Sequence, residues 1–196
     1  MLFQRKSTYD WFVVGLGNPG LEYENTRHNA GFMSVELFMK AKEGEFLKHK
    51  MQAVFGECKV GKNRVLVAKP QTYMNNSGAA VSQIAKFYKI PLERIIIVCD
   101  DINLDIGKIR IRRKGSDGGQ KGMRDIIELL GTDEITRIKV GVGKKPHPEY
   151  DLVDWVLSKF PKESQEELNC ALEKTAKAIT EIINRGIDSA MNKYSN

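Results

Sequence analysis

Apolar runs alternate along this chain with segments whose apolar residues recur every three or four positions. Two of the runs, 11–16 and 95–99, are continuously apolar, which is typical of central strands covered on both faces of a sheet. Shorter or alternating runs bounded by turn residues recur downstream. We therefore predict strands over 11–17, 52–60, 64–70, 94–101, 108–114 and 136–143.

The segments between these strands follow a helical period. The clearest is the C-terminal stretch, which starts after Pro161 and ends near Gly186. Strands that alternate with helices predict an α/β sandwich with a mostly parallel or mixed sheet. The segment 144–151, rich in proline and charge, predicts a mobile loop rather than a domain boundary. Helices are predicted over 30–43, 76–88, 119–130, the C-terminal stretch and 187–193.

Length and composition predict one globular domain. The chain has 196 residues, of which 41% are hydrophobic and 29% charged, as in ordinary globular proteins. It has no apolar run of membrane-spanning length and no signal-peptide pattern at its N-terminus, so a cytoplasmic location is predicted. We expect a flexible N-terminal extension over 1–10 and a single domain over 11–196. The few cysteines and histidines form no metal-ligand pattern, so no metal or cofactor is expected.

The positive charge is concentrated in one segment. The formal net charge is +6 at pH 7, and residues 107–124 carry seven basic residues against one acidic residue, Asp117, so the remainder is neutral. In the predicted strand 108–114, Arg110 and Arg112 alternate with isoleucines, so we expect both arginines to face water. A neutral body with one basic patch indicates an anionic partner, nucleic acid first. The alternative is a solvated basic face without a partner.

The glycine-rich segment 114–125 leads from this patch into a predicted helix. Its backbone N–H groups, together with Lys121 and Arg124, could hold a phosphate, although no Walker spacing is present. The alternative is a flexible loop.

The segment GLGNPG, 15–20, has the spacing of a dinucleotide-binding turn after a strand. Such a turn should open a helix at once, whereas here Pro19 removes an N–H and the next helical pattern starts at 30. We therefore reject nucleotide binding. Asn18, in a tight turn at a strand end, is a candidate site residue; otherwise it only bonds its own backbone.

Two further loops place polar side chains just before predicted helices. In 22–32, His28 could be a general base, because an unperturbed imidazole is mostly neutral at pH 7. The alternative is a helix cap or a surface group. In 70–78, the adjacent Asn75 and Asn76 are one asparagine more than a helix cap needs, so one of them could face a ligand.

Asp100 and Asp101 follow a fully apolar strand, and the carboxyl ends of strands face the ligand crevice in open α/β sheets. A carboxylate there could hold a histidine in one tautomer, or the pair could bind Mg²⁺. Cys99, inside the strand, is assigned to the core rather than to a nucleophile. Because no serine stands in a nucleophile elbow, the polar set favours attack by an activated water on a carbonyl carbon.

A series of motifs resembles the bacterial-type peptidyl-tRNA hydrolase family: GLGNPG, EY-x-x-TRHNAG, MN-x-SG, a strand ending in D-D-x-x-L, and a GG-x-x-G loop. The match runs from about Trp11 to Pro161. The resemblance implies a single-domain, three-layer α/β sandwich in which helices wrap a twisted mixed β-sheet, acting as a monomer. It also implies hydrolysis of the ester between a peptide and the 3′ ribose of tRNA, which recycles tRNA from aborted translation.

By position, the resemblance assigns His28 as the general base that activates water and Asp100 as its orienting partner. Asn18 matches the residue that holds the substrate carbonyl or the water. Asn75 matches a residue that binds the peptide backbone, and Tyr23 an aromatic that flanks the 3′ end of the tRNA. The other substrate-binding candidates are Tyr73 and Lys121. Arg112 and Lys139 fall where the family clamps the 5′ phosphate of the tRNA, and Arg110 is a further candidate for binding the tRNA phosphate.

One loop departs from the family, which usually has GG-His-Asn-G where this chain has Gln120 and Lys121 in the third and fourth positions. A lysine has no acceptor and cannot repeat both hydrogen bonds of an asparagine, but its ammonium could bind a phosphate or a developing oxyanion. Two alternatives stay open. The first is that the chain is a non-catalytic RNA-binding relative of the family, which only Lys121 favours. The second is that it is a peptidase or a small-molecule esterase, a function that does not explain the basic patch.

Overall fold

The protein, described over residues 7–195 in a computed structural model, is a mixed β-sheet between two helical layers. The strands, in sheet order β2-β3-β4-β1-β5-β7-β6, are parallel for β4, β1, β5 and β7, and antiparallel at both edges. The strands are β1 (Trp11–Gly15), β2 (Glu45–Lys50), β3 (Ala53–Val60), β4 (Asn63–Pro70), β5 (Ile95–Asp101), β6 (Ile109–Arg112) and β7 (Thr136–Gly141). The helices are α1 (Ala30–Ala41), α2 (Ser77–Tyr88), α3 (Lys121–Leu130), α4 (Leu152–Leu157), α5 (Gln165–Arg185) and α6 (Ile187–Tyr194).

Two hydrophobic cores lie on opposite faces of the sheet. Helices α1, α5 and α6 cover one face, where they bury residues such as Val13 and Ile96. Helices α2 and α3 cover the other face, where Val14 and Ile97 are buried. Because neighbouring residues of β1 and β5 enter different cores, β1 and the stretch of β5 before Asp100 have to be apolar without interruption. The predicted three-layer α/β sandwich with a mixed sheet is confirmed.

Strand β2 and helix α4 were not predicted from the sequence. Strand β2 is an edge strand, mostly exposed and charged, with a register shift between Phe46 and Lys48, so it shows no alternating apolar pattern. Helix α4 has only six residues and buries only Val156. Its start is set by Asp151, whose carboxylate accepts hydrogen bonds from the N–H groups of Val153 and Asp154 at 2.7 and 3.0 Å.

Residues 7–10 pack on the domain. Tyr9 is buried and its hydroxyl donates to Glu57 at 2.7 Å, while the Ser7 hydroxyl lies 3.0 Å from the Tyr88 carbonyl oxygen. These contacts hold the last four residues of the predicted flexible extension, 1–10, against β3 and α2. Residues 1–6 lie outside the described residues. Over the described part of the chain, no helix is long and apolar enough to cross a membrane.

Candidate active site

A cavity of about 360 Å³ opens at the carboxyl edge of the sheet, where β1 and β5 end side by side. The turn after β1, the end of β5 and the first turn of α3 contribute to its wall. This is where ligands bind in open α/β sheets. Its polar and charged lining residues include Asn18, His28, Asn75, Asp100, Asp101, Gln120, Lys121 and Lys139, and its apolar lining includes Met74, Leu152, Val153 and Val156.

His28 and Asp100 are in direct contact. The Nδ1 atom of His28 lies 2.8 Å from Oδ2 of Asp100, and the Asp100 side chain is almost completely buried. Since an ionised carboxylate only accepts hydrogen bonds, Nδ1 carries the proton and Nε2 is the basic nitrogen of the neutral ring.

The approach of α1 to the sheet makes this contact possible. His28 stands in a 3₁₀ turn, Arg27–Asn29, that leads directly into α1. A Cβ atom at Gly31 would lie 2.4 Å from the carbonyl oxygen of Val98 and 2.5 Å from the backbone of Leu16. Only glycine therefore lets the first turn of α1 press against β1 and β5.

Asn18 is held on three sides. Its side-chain oxygen accepts the N–H of Met74 at 2.7 Å. The side chain of Asn29 binds the backbone of Asn18 twice: its oxygen accepts from the Asn18 N–H at 2.8 Å, and its nitrogen donates to the Asn18 carbonyl at 3.0 Å. Because the Met74 N–H can only donate, the oxygen of Asn18 has to face it, and the amide nitrogen is the other end of this cavity-lining side chain.

Asn29 and Met74 are site residues that the sequence did not reveal. Asn29 lies in the same TRHNAG motif as His28, and that proximity is the one signal that could have singled it out. The contribution of Met74 comes from its backbone N–H, for which side-chain identity gives no signal.

The glycine-rich loop places Gln120 and Lys121 at the start of α3. Gln120 caps the helix, with Oε1 accepting the Met123 N–H at 2.6 Å, and its Nε2 donates to Oδ1 of Asp100 at 3.1 Å. Lys121 is the first helical residue, exposed, on the cavity wall. Lys121 is a candidate from the sequence, whereas Gln120 has a role that only the structure reveals.

The two candidate tyrosines contact each other. The rings of Tyr23 and Tyr73 meet edge to face with centroids 6.3 Å apart. Tyr73 is exposed and lines the cavity together with Asn75, which is also exposed. These side chains place an aromatic surface and an amide at the cavity mouth.

The three candidate phosphate-binding cations lie on neighbouring strands. Arg110 of β6 is paired in register with Lys139 of β7, and Arg112 follows two residues later, exposed as predicted. Lys139 is largely buried and its ammonium contacts Asp101 at 3.1 Å. The Nε of Arg110 is buried without a hydrogen-bond partner among the described residues.

Most other cations of the basic segment are paired with acids. The predicted surplus of 107–124 is therefore partly neutralised, largely by residues outside the segment, and Arg124, a candidate for holding a phosphate, is paired with Asp117. Exposed pairs of this kind are weak. They are Lys108–Asp105, Arg113–Asp188, Lys114–Glu134 and Arg124–Asp117. Among residues 7–195, Arg110, Arg112 and Lys121 have no such acidic partner.

Arg137 is a buried cation of β7 that binds the loops next to this basic surface. Its guanidinium is buried and donates to the carbonyl oxygens of Ile135, Gly115, Ser116 and Asp133. Burial lowers the pKa of Arg137, yet the four carbonyls keep its N–H groups paired. The residue thereby fixes the start of the glycine-rich loop to β7.

Cys99 belongs to the core. Burial, and next the charge of Asp100, raise the pKa of its thiol to about 12, so almost no thiolate is present at neutral pH. The neighbouring Asp101 is bound to Lys139. In the described part of the chain no three His, Cys, Asp or Glu side chains converge as a metal site would require.

Comparison with known proteins identifies the family. The family model described as peptidyl-tRNA hydrolase matches residues 12–196. The chain belongs to the peptidyl-tRNA hydrolase family. A peptidyl-tRNA hydrolase of Clostridium botulinum (strain Eklund 17B / Type B) is 47% identical over 185 residues, which are 94% of this chain and 95% of that protein. One of Lachnoclostridium phytofermentans is 46% identical, covering 94% and 96%.

Solved structures agree with this membership. The crystal structure of peptidyl-tRNA hydrolase from Acinetobacter baumannii superimposes with a TM-score of 0.88 at 32% identity, over 94% of this chain and 95% of that one. Uridine phosphorylase from Vibrio fischeri matches with a TM-score of 0.53 at 8% identity, over 89% and 90%, which shows a shared fold alone. The resemblance to peptidyl-tRNA hydrolases inferred from the motifs is confirmed.

Proposed function

We propose that this protein hydrolyses the ester bond between a peptide and the 3′ ribose of tRNA, with His28 as the general base. The observation that carries the proposal is the 2.8 Å contact of His28 Nδ1 with the Asp100 carboxylate in the wall of the cavity at the carboxyl edge of the sheet. Because Nδ1 donates to Asp100, Nε2 keeps its lone pair and accepts a proton from water.

The reaction then runs in two steps. The water oxygen bonds to the ester carbonyl carbon while Nε2 of His28 takes its proton, and the carbonyl oxygen becomes an oxyanion. The oxyanion reforms the carbonyl, the bond to the ribose 3′ oxygen breaks, and that oxygen receives the proton from His28. The products are a free peptide and a tRNA with a free 3′ hydroxyl. Asp100 stabilises the imidazolium between the steps.

Asn18 binds the reacting carbonyl. Its oxygen is occupied by the Met74 N–H, so the group it offers the cavity is an N–H donor, which suits a carbonyl oxygen that gains negative charge. Asn75 binds the peptide backbone through its amide, and Tyr73 and Tyr23 provide ring surface for the bound chain and the 3′ nucleotide.

The tRNA phosphates bind the cations on β6, β7 and the first turn of α3. Arg110 and Arg112 have no acidic partner among the described residues and share one face of β6. Lys139 is bound to Asp101, so a phosphate has to compete with that carboxylate. Lys121 extends the cationic surface to the cavity wall.

One assay tests the activity against its alternatives. We expect the protein to release free tRNA from a peptidyl-tRNA and to leave a peptide amide and a simple ester nearly untouched. Cleavage of the peptide or the simple ester at a comparable rate would indicate a peptidase or esterase. Tight tRNA binding without release would indicate a non-catalytic RNA-binding relative.

Monomeric state and cytoplasmic location are part of this proposal and rest on the family resemblance. Light scattering of the purified protein tests the first, with a mass near 22.2 kDa expected. Fractionation of cells that produce the protein tests the second.

A further inference from the structure

We propose that Gln120 is a positioning residue of the catalytic site, which holds the Asp100 carboxylate in the orientation that serves His28. The inference rests on the proposed function, because it gives Gln120 a role in the same reaction. It concerns the position at which this chain departs from the family's usual histidine.

The two oxygens of Asp100 have different partners. Oδ2 lies 2.8 Å from His28 Nδ1, and Oδ1 accepts from Gln120 Nε2 at 3.1 Å. Asp100 is only 4% exposed, so water does not compete freely for either oxygen. A carboxylate with one donor on each oxygen cannot rotate without losing a bond, and an unsatisfied buried oxygen is unfavourable.

The orientation of the Gln120 amide is fixed by the helix that it caps. Its oxygen accepts the Met123 N–H at 2.6 Å, and a backbone N–H can only donate. The NH₂ group therefore has to face Asp100. The oxygen of the Gln120 amide therefore caps α3, and its nitrogen orients the Asp100 carboxylate.

Gln120 also contacts Met74, the residue whose backbone holds Asn18. Its Nε2 lies 2.9 Å from the sulfur of Met74, and the Met74 N–H is the one that holds Asn18. One uncharged side chain thus lies between the partner of the base, Asp100, and the residue that holds the carbonyl-binding amide, Met74. Unlike a histidine, it stays a donor and uncharged at every pH at which the protein folds.

Two substitutions separate capping from positioning. Gln120→Thr keeps a good helix cap but is too short to reach Asp100. We expect its kcat to fall about tenfold or more, an effect of the size found when a group that orients a metal ligand is removed. KM and the midpoint of thermal unfolding should stay close to those of the parent.

Gln120→Glu keeps the capping oxygen but sets a carboxylate against Asp100. Besides Asp100 and His28, the charged groups that line the cavity are Asp101, Lys121 and Lys139. An added negative charge favours the protonated form of His28, so the acid limb of the kcat profile should move to higher pH. Gln83→Glu, the same change at an exposed position of α2, is the control and should leave the profile unchanged.

A spectroscopic measurement keeps the test independent of activity. The Nδ1 proton of His28 should give a downfield NMR signal in the parent protein, which broadens or moves in Gln120→Thr. If the parent protein releases no tRNA, the proposed function is refuted. If the NMR signal of His28 nevertheless changes in Gln120→Thr, the positioning of Asp100 by Gln120 is supported. An unchanged signal, together with kcat within about twofold of the parent and an unshifted Gln120→Glu profile, would overturn the role of Gln120.

Discussion

The cavity and the basic surface beside it are organised in opposite ways. In the cavity, the polar groups around His28 are bound to one another: Asp100 to His28 and Gln120, and Asn18 to Met74 and Asn29. On the basic surface, Arg110, Arg112 and Lys121 have no acidic partner in the described chain. The first region is complete before substrate arrives, whereas the second is completed by the substrate.

This difference follows from what each region has to do. Groups that stabilise a transition state act most strongly when they are already oriented and shielded from water. Groups that attract a polyanion need free charge at the surface, and their contribution depends on salt. Variants in the cavity should therefore change kcat, and variants of the surface should change binding of tRNA.

The largest effect is expected for His28→Ala. Removal of a positioned base should lower kcat by roughly 10²–10⁴, while the affinity for tRNA stays nearly constant because the phosphate-binding cations are untouched. His49→Ala, on the exposed edge strand β2, is the matched control. A near-parental rate for His28→Ala would show that another group activates the water.

Asp100→Asn should lose almost as much. Because the NH₂ group of Gln120 only donates toward this position, the introduced amide should turn its oxygen to Gln120 and its own NH₂ to His28. That arrangement protonates Nε2 instead of Nδ1 and removes the base, so we expect kcat to fall by roughly a hundredfold or more.

A second substitution should reverse part of this loss. In the double variant Asp100→Asn, Gln120→Glu, the glutamate accepts from the introduced amide nitrogen and returns the amide oxygen to His28. The double variant should be faster than Asp100→Asn alone in single-turnover hydrolysis. Equal rates for the two would contradict the contact between residues 100 and 120.

Arg112→Ala tests the basic surface. The loss of one phosphate contact should weaken tRNA binding and reduce the slope of log K against log salt by about one. Removal of the 5′ phosphate from the tRNA should abolish the difference between variant and parent. Arg113→Ala, whose guanidinium is already paired with Asp188, should have a smaller effect. An equal loss on both tRNAs would place the phosphate contact elsewhere.

Lys121→Met should have the smallest effect on the kinetic constants. The variant shows whether Lys121 acts with the cavity or with the basic surface. If its ammonium meets a phosphate, KM rises a few-fold and kcat is unchanged; if it meets the oxyanion, kcat falls. We expect the first, since Lys121 is exposed and has no acidic partner among the described residues. Unchanged values of both constants would show that the side chain faces only solvent.

The sequence predicted most of the sheet and the long helices because their apolar periods are continuous. It could not predict β2, which is charged and exposed, or α4, which buries a single residue. Short or edge elements depend on tertiary contacts rather than on a pattern.

In the site, local motifs gave His28, Asp100 and Asn18 as candidates. The sequence did not give the contacts that fix them, since Gln120 lies 20 residues from Asp100 and Met74 lies 56 from Asn18. The free positive charge predicted for 107–124 was overestimated in part for the same reason, because Arg113 is paired with an acid 75 residues away. Local windows do not contain such partners.

The position of β1 at the centre of the sheet has a consequence for synthesis on the ribosome. It precedes the other strands of residues 7–195, but its neighbours β4 and β5 follow only at Asn63–Pro70 and Ile95–Asp101. At roughly 5–20 residues per second, several seconds separate the synthesis of β1 from that of β5, and at least one edge of this apolar strand stays unpaired throughout. Unpaired strand edges are prone to aggregation, so the nascent chain is most vulnerable before β5 emerges, and the pair of His28 and Asp100 can form only when that interval ends.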